Sequence, residues 1–118
     1  MAFNLDNEYR IDAILERYPS HIRGNFTKKK MFGGLAYLYF GKMTIGLVGG
    51  DLMVRVVSEK MNAVLSTPHV RPMDFTKRPM KEFVYVGENG FSQESELEYW
   101  LGLGLEHASG KIKPQGAK

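Results

Sequence analysis

Apolar residues recur at helical spacing in three segments of the chain. The first predicts an amphipathic helix over 6–18, and Pro19 ends it because proline disfavours helical angles at the preceding residue. Ser58 is the expected N-cap of a short second helix over 59–66. Ser92 is the expected N-cap of a last helix, whose buried side comprises Leu97, Trp100, Leu101 and Leu105.

Five β-strands are predicted between these helices from runs of branched and aromatic residues. Three of them are joined by short glycine-containing turns and cover residues 31–40, 43–48 and 52–57. The first turn, Gly41-Lys42, suits a type II′ hairpin. Two further strands occupy 71–86, where Pro72 favours a short edge strand because it cannot donate a ladder hydrogen bond. The stretch Thr27-Lys28-Lys29-Lys30 is expected to be a basic connector.

The resulting order is α-β-β-β-α-β-β-α. Strands joined by hairpin-length turns pair antiparallel. The sequence therefore predicts a two-layer α+β domain over 1–108, with an antiparallel five-stranded sheet and the helices on one face. Residues 109–118 lack an apolar period and are expected to form a disordered basic tail.

Alternation along the second and third strands separates two faces of the predicted sheet. The side facing the helices would hold Met43, Ile45, Leu47, Leu52, Val54 and Val56. The opposite side would hold Thr44, Met53, Arg55 and Val57, a set that is too apolar for a fully wetted surface. Together with Tyr37, these residues predict an open sheet face that contacts a partner or a ligand.

Composition excludes several classes of site. The chain has no cysteine, which excludes a disulfide scaffold, a thiolate metal site and a cysteine nucleophile. It has no phosphate-binding loop, no dinucleotide-binding loop and no G-x-S-x-G motif, and its three histidines lie far apart in sequence. We therefore predict no catalytic residue, no metal site and no cofactor. The N-terminus lacks the features of a signal peptide and no apolar run could span a membrane, so a cytoplasmic protein with no membrane partner is expected.

The charges are unevenly distributed along the chain. Residues 21–81 carry eleven Lys or Arg and three acids, whereas 82–107 carry six glutamates and no Lys or Arg. Because arginine suits carboxylate and phosphate recognition, the candidate partner or anion contacts in this basic middle are Arg55, Arg71 and Arg78, with Lys30. Asp74 is the only acid between 60 and 81 and is the expected ion-pair partner of Arg55 or Arg78.

Several segments together resemble the N-terminal domain of the TfoX/Sxy family. The resemblance is carried by Lys30-Met31-Phe32-Gly33-Gly34-Leu35-Ala36, by Leu52-Met53-Val54-Arg55-Val56, by Arg71-Pro72-Met73-Asp74-Phe75-Thr76-Lys77-Arg78-Pro79-Met80, and by the last helix with Trp100. It implies a secretion-chaperone-like fold and supplies no catalytic residue. Two-domain members of that family regulate natural competence through protein contacts, and a chain of 118 residues is expected to have no room for the second domain.

Three functional hypotheses follow from these observations. The first is a small non-enzymatic regulatory or adaptor domain that contacts a protein of the transcription machinery or another regulator, with self-association as a homodimer possible through the open face. The second is weak nucleic-acid binding by the basic middle, residues 28–81, although no recognised nucleic-acid motif is present. The third is an enzyme whose phosphorylated or carboxylated substrate is held by Arg55 and Arg78.

Overall fold

A computed structural model of the chain describes residues 5–31, 33–75 and 78–112, and the side chains of 5–31, 33–73 and 82–109. The helices are α1 (Leu5–Leu15), α2 (Ser20–Arg23), α3 (Ser58–Leu65) and α4 (Glu94–Ile112), with one 3₁₀ turn at Glu88–Gly90. The strands are β1 (Phe26–Met31), β2 (Gly34–Tyr39), β3 (Lys42–Val48), β4 (Asp51–Arg55), β5 (Val70–Phe75) and β6 (Arg78–Val86). Among the helices described, none is both long and apolar enough to cross a membrane.

The six strands form one antiparallel sheet in the order β1-β2-β3-β4-β6-β5. The predicted α+β class is confirmed, but the prediction of five strands is wrong. The additional strand is β1, which includes the lysine-rich stretch expected to be a connector. Its polar composition does not match the apolar pattern from which strands are predicted. An edge strand can have this composition because it tolerates exposed lysines that a central strand would not. At the other edge, β5 carries Pro72, as predicted.

The hairpin between β2 and β3 differs from its predicted geometry by one residue. Tyr39 pairs with Lys42, so the two turn residues are Phe40 and Gly41 rather than Gly41 and Lys42. Both have positive φ, 52° and 79° respectively. This is the combination required by a type I′ turn, whose twist matches that of the flanking strands. Positive φ at a phenylalanine is uncommon, which is why the sequence did not indicate it.

The main hydrophobic core lies between the sheet and three helices, α1, α3 and α4. The helices contribute Ile11, Ile14, Leu15, Val64, Leu97, Trp100, Leu101 and Leu103. The sheet contributes Leu35, Tyr37, Ile45, Leu47, Leu52, Val54, Val84 and Val86. These sets alternate along their strands, so the helix layer covers one face of the sheet, as predicted.

A β-bulge in β3 sends one predicted core residue to the opposite face. Tyr37 pairs with Ile45, but Leu38 pairs with Met43, so Thr44 is the extra residue between them. Thr44 is fully buried, and its hydroxyl donates a 2.8 Å hydrogen bond to the Tyr37 carbonyl. Met43 was predicted to face the helices together with Ile45. It packs instead in a second cluster on the other face, because the bulge breaks the strict alternation assumed from sequence.

Helix α4 is fixed at its start by side-chain hydrogen bonds. The Gln93 amide donates to Glu96 Oε1 at 3.0 Å, so a glutamate one turn into the helix caps it, where Ser92 was expected to do so. The Trp100 indole donates to the Gly90 carbonyl at 2.9 Å and ties the helix to the 3₁₀ turn. The helix continues to Ile112, beyond residue 109, where the tail was predicted to begin.

Two glycines of α4 provide a matched test of this packing. A methyl group at Gly104 would overlap the Thr44 carbonyl oxygen of β3, whereas one at Gly102 would meet no atom within 4 Å. We expect Gly104→Ala to lower the free energy of unfolding by about 1–3 kcal/mol, the usual cost of overpacking. Gly102→Ala should raise it by up to about 1 kcal/mol, because alanine favours helix. Urea unfolding of both variants measures the difference. Equal effects of the two substitutions would contradict the close approach of α4 to β3.

Candidate functional site

The face of the sheet opposite the helices carries a small apolar cluster of its own. Its buried members are Ala36, Met43, Met53, Met73 and Phe83, with Met31, Leu38, Val48 and Tyr85 packed against them. Met53 lies across Gly46 of the neighbouring strand, where a methyl group would meet the Met53 Cε atom. A glycine at 46 therefore provides the space that lets Met53 become buried, at 1% exposure, on this face.

Strand pairing brings two arginines onto this face on either side of β6. Arg55 of β4 pairs directly with Phe83, and Arg71 of β5 pairs directly with Tyr85. Met53 is the partner of Tyr85 on its other side. Direct partners in an antiparallel sheet share a face, so these five residues form one patch, which we call the arginine-flanked face.

Each arginine stacks on the aromatic ring opposite it. The Arg55 guanidinium carbon lies 5.2 Å from the centre of the Phe83 ring. The Arg71 carbon lies 4.8 Å from the centre of the Tyr85 ring. Cation–π contacts of this length contribute about 0.5–2 kcal/mol, depending on how far the cation is removed from water. The two charged groups are thereby held over the rings of the apolar patch.

The same two arginines form ion pairs with acids of neighbouring strands, Glu82 of β6 and Asp51 of β4. Arg55 donates from Nε and Nη2 to Glu82 Oε1, at 2.9 and 2.7 Å. Arg71 Nη2 lies 2.5 Å from Asp51 Oδ2. The Arg55 side chain is 20% exposed and that of Arg71 is 53% exposed. The pair at Arg71 is therefore the more solvated of the two, and exposed pairs contribute only about 0–1 kcal/mol.

Glu82 is a site residue that the sequence did not suggest. Besides Arg55 it lies near buried His107, whose Nε2 is 3.4 Å from Glu82 Oε1. The only signal was an acid directly before the apolar run that starts at Phe83. The expected ion-pair partner of Arg55 was Asp74. The side chains of Asp74 and Arg78 lie outside the described residues, so their pairing stays a prediction.

Tyr37 was predicted to lie on the open face, and this prediction is wrong. The side chain is 0% exposed and belongs to the core beneath the helices. Its hydroxyl donates to Asp12 Oδ1 of α1 at 2.9 Å. Lys28 Nζ contacts the same carboxyl group at 2.9 Å and Glu8 at 2.6 Å. Tyr37 therefore joins β1, β2 and α1, and its position follows from the alternation of Leu35 and Tyr37 in β2.

The remaining predicted site residue, Lys30, lies far across the sheet from the arginines. It is in β1, opposite Leu35, whereas Arg71 is in β5 at the other edge. Thr44, also predicted on the open face, is buried in the bulge of β3. Of the predicted contact residues, the structure thus brings together Met53, Arg55 and Arg71.

A polar cleft adjoins the arginine-flanked face where β4, β5 and β6 meet their connecting loops. Its volume is about 690 Å³, and it is lined by Gly50, Asp51, His69, Val70, Arg71, Gly87, Glu88 and Asn89. Within the described part of the chain, no three His, Asp or Glu side chains lie close enough to hold a metal ion. Arg71 is the arginine that lines this cleft, where its guanidinium pairs with Asp51, and arginine is a residue suited to carboxylate recognition.

Comparison with protein families gives one match. The family model described as the TfoX N-terminal domain matches residues 20–108 of the 118-residue chain. The matched span includes all six strands, α2, α3 and most of α4, and excludes α1. No curated protein matches the chain. No solved structure matches it either.

Substitution of Tyr37 tests the network beneath α1. Burial, and then the hydrogen bond to Asp12, raise the pKa of Tyr37 well above its ordinary value of 10.0. The unfolded chain therefore loses this proton at a lower pH than the folded protein. As a result, the stabilisation is complete below pH 10.0 and declines as the pH rises above it.

We expect Tyr37→Phe to lower the free energy of unfolding by about 1 kcal/mol at neutral pH, the usual contribution of one hydrogen bond. It should also make the decline of stability above pH 10.0 shallower. Denaturant unfolding at neutral pH and at a pH above 10.0 measures both effects on the free energy of unfolding. Tyr99→Phe is the control, because Tyr99 is 53% exposed. Identical pH dependence in the wild type and Tyr37→Phe would contradict the assignment.

Proposed function

The chain belongs to the TfoX N-terminal domain family, and from this premise we propose that it is a small regulatory domain that acts in the cytoplasm by binding another protein. In this proposal it catalyses no reaction itself. Its contact surface is the arginine-flanked face, formed by Met53, Arg55, Arg71, Phe83 and Tyr85. The partner is a protein of the transcription machinery or another regulator.

The observation that carries the proposal is the stacking of both arginines on β6. An effective protein interface has an apolar centre, a polar rim and a few large anchors, among which arginine and tyrosine are enriched. The arginine-flanked face has Met53 and Phe83 at its centre and arginines on two sides. Because stacking already restricts the guanidinium groups, little side-chain entropy is left to lose on binding.

Charge indicates the kind of partner surface that fits. Arg71 is half-exposed, and its ion-pair partner among the described side chains is Asp51, which is itself accessible to solvent. A carboxylate from the partner can replace Asp51 at small cost, because an exposed ion pair is weak. We therefore propose a partner surface with apolar side chains at its centre and at least one acidic residue at its rim.

The ion pairs also favour protein contact over the nucleic-acid and enzyme hypotheses. Lys28, Arg55 and Arg71 each have an acidic partner within the protein. Binding of phosphates by these three residues would have to compete with those pairs without adding apolar contacts. Both arginines are held by ion pairs and by stacking on β6, so we assign them a binding role and not a catalytic one.

The contact proposal is tested with matched double variants. Arg55→Gln/Arg71→Gln removes two charges from the arginine-flanked face, and Lys42→Gln/Lys60→Gln removes two charges elsewhere. Each immobilised variant is used to capture proteins from an extract of the source cells, with quantitative mass spectrometry. We expect the arginine variant to lose the captured protein and the lysine variant to retain it.

Thermal unfolding should show that both variants are folded. Equal capture by the wild type and the arginine variant would refute the proposed surface. Light scattering of the protein alone tests the hypothesis that it self-associates as a homodimer through this face. A dimer that dissociates on the arginine substitutions would show that the partner is a second copy of the chain.

Nucleic-acid binding provides a separate test. A protein that neutralises several phosphates loses affinity steeply as salt rises, because counterions are released on binding. We expect no mobility shift with single- or double-stranded DNA or RNA, even at low salt. A shift that disappears with added salt and weakens in the arginine variant would support the nucleic-acid hypothesis instead.

A further inference from the structure

The outer edge of β1 is an accessible sheet edge of unusual charge. β1 pairs with β2 on one side, and no strand among the described residues pairs with it on the other. Residues 27–30 are all exposed, and three of these four are lysines. This edge is at the far side of the sheet from Arg71 in β5, so it is independent of the arginine-flanked face.

The backbone of β1 presents hydrogen-bonding groups along this edge. The Phe40 amide donates to the Asn25 carbonyl at 3.0 Å, which marks that pair as hydrogen-bonded. Bonded and non-bonded pairs alternate in an antiparallel ladder. Following the register from Asn25, residues 27, 29 and 31 bond to β2. The amide and carbonyl groups of Phe26, Lys28 and Lys30 therefore point outward, toward any strand added to the edge.

The lysines of β1 determine which kind of strand can pair with its outer edge. Lys28 already contacts Glu8 and Asp12, whereas no ion pair among the described residues involves Lys29 or Lys30. A second copy of β1 paired antiparallel would place lysine opposite lysine, and like charges in direct opposition are destabilising. An acidic strand would instead be stabilised by electrostatic attraction to Lys29 and Lys30. The edge thus excludes its own copy and favours an acidic segment.

A groove beside β1 offers a site for one apolar side chain. It lies between α1, α2 and β1 and has a volume of about 550 Å³. Its apolar lining is Leu15, Phe26 and Tyr37, and Asp12, Glu16, Arg23 and Lys28 surround it. Phe26 faces the same side of the sheet as Tyr39, its partner in β2. A residue opposite Phe26 in an added strand would point the same way, toward this groove.

We propose that the β1 edge binds an extended acidic segment of a partner protein as a seventh, antiparallel strand. Its backbone bonds to Phe26, Lys28 and Lys30, its two adjacent acidic side chains lie opposite Lys29 and Lys30, and an apolar side chain three residues later enters the groove. Strand addition of this kind obtains affinity from the main chain and specificity from alternate side chains.

The probe is a fluorescein-labelled peptide of threonine and valine with two adjacent glutamates and a leucine three residues after the second. Fluorescence anisotropy at low salt measures its affinity for the full chain. Two variants distinguish the contribution of the Lys30 charge from that of the Lys30 backbone amide. Lys30→Thr removes the charge and keeps the amide, whereas Lys30→Pro also removes the outward amide, a change that an edge strand tolerates. We expect Lys30→Thr to weaken binding several-fold and Lys30→Pro to weaken it about tenfold more, as loss of one strong contact does.

Amide hydrogen exchange of the wild type gives a readout that does not depend on either variant folding. Exchange at Lys28 and Lys30 should slow when the acidic peptide is added and should not change with a peptide carrying lysine in place of glutamate. Equal affinity of the two Lys30 variants, or protection confined to other strands, would overturn the proposal. So would tighter binding of a single-stranded oligonucleotide at the same lysines, or a dimer that Lys30→Pro dissociates. Loss of these effects would leave the Arg55 and Arg71 test unaffected, because the two surfaces share no residue.

Discussion

The close approach of α4 to β3 is the contact on which the arrangement of the sheet depends. It requires a glycine at 104, because any side chain there would overlap the Thr44 carbonyl. Thr44 is also the extra residue of the bulge, and its hydroxyl bonds to the Tyr37 carbonyl. Helix packing and the bulge are therefore coupled at one residue. A change at either position would shift both the helix layer and the alternation of β3.

The bulge determines what the helix-free face contains. By turning Met43 away from α4, it adds a methionine to the cluster that includes Met53 and Met73. Methionine fills irregular space because its side chain is unbranched and flexible. Met53 in turn lies over Gly46, and the result is an apolar surface between two stacked arginines. Within the described part of the chain, this second hydrophobic cluster consists of strand residues alone.

The charge pattern has a different meaning in the structure from the one that a linear count suggests. The described cations of the basic middle are spread over the domain, with lysines in β1 at one sheet edge, Arg55 in central β4 and Arg71 in β5 at the other edge. Several of its cations are neutralised by acids from distant segments, as in Lys28 with Glu8 and Arg55 with Glu82. A single large polyanion surface is therefore a weaker interpretation than two separate protein-binding surfaces of different chemistry.

The sequence by itself determined the fold class, the three main helices, the edge position of β5 and the family, because periodic apolar positions and short motifs are local signals. It also indicated Met53, Arg55 and Arg71 as candidate contact residues, which the structure places on one face. Only the tertiary structure decided that Tyr37 is buried, that Lys28–Lys30 belong to a strand, and that Arg55 pairs with Glu82. Each of these depends on contact with another element: α1 for Tyr37, β2 for the lysines and β6 for Arg55. A bulge or an ion pair leaves no periodic pattern in the sequence. It stabilises the protein only after folding has brought its partners into contact.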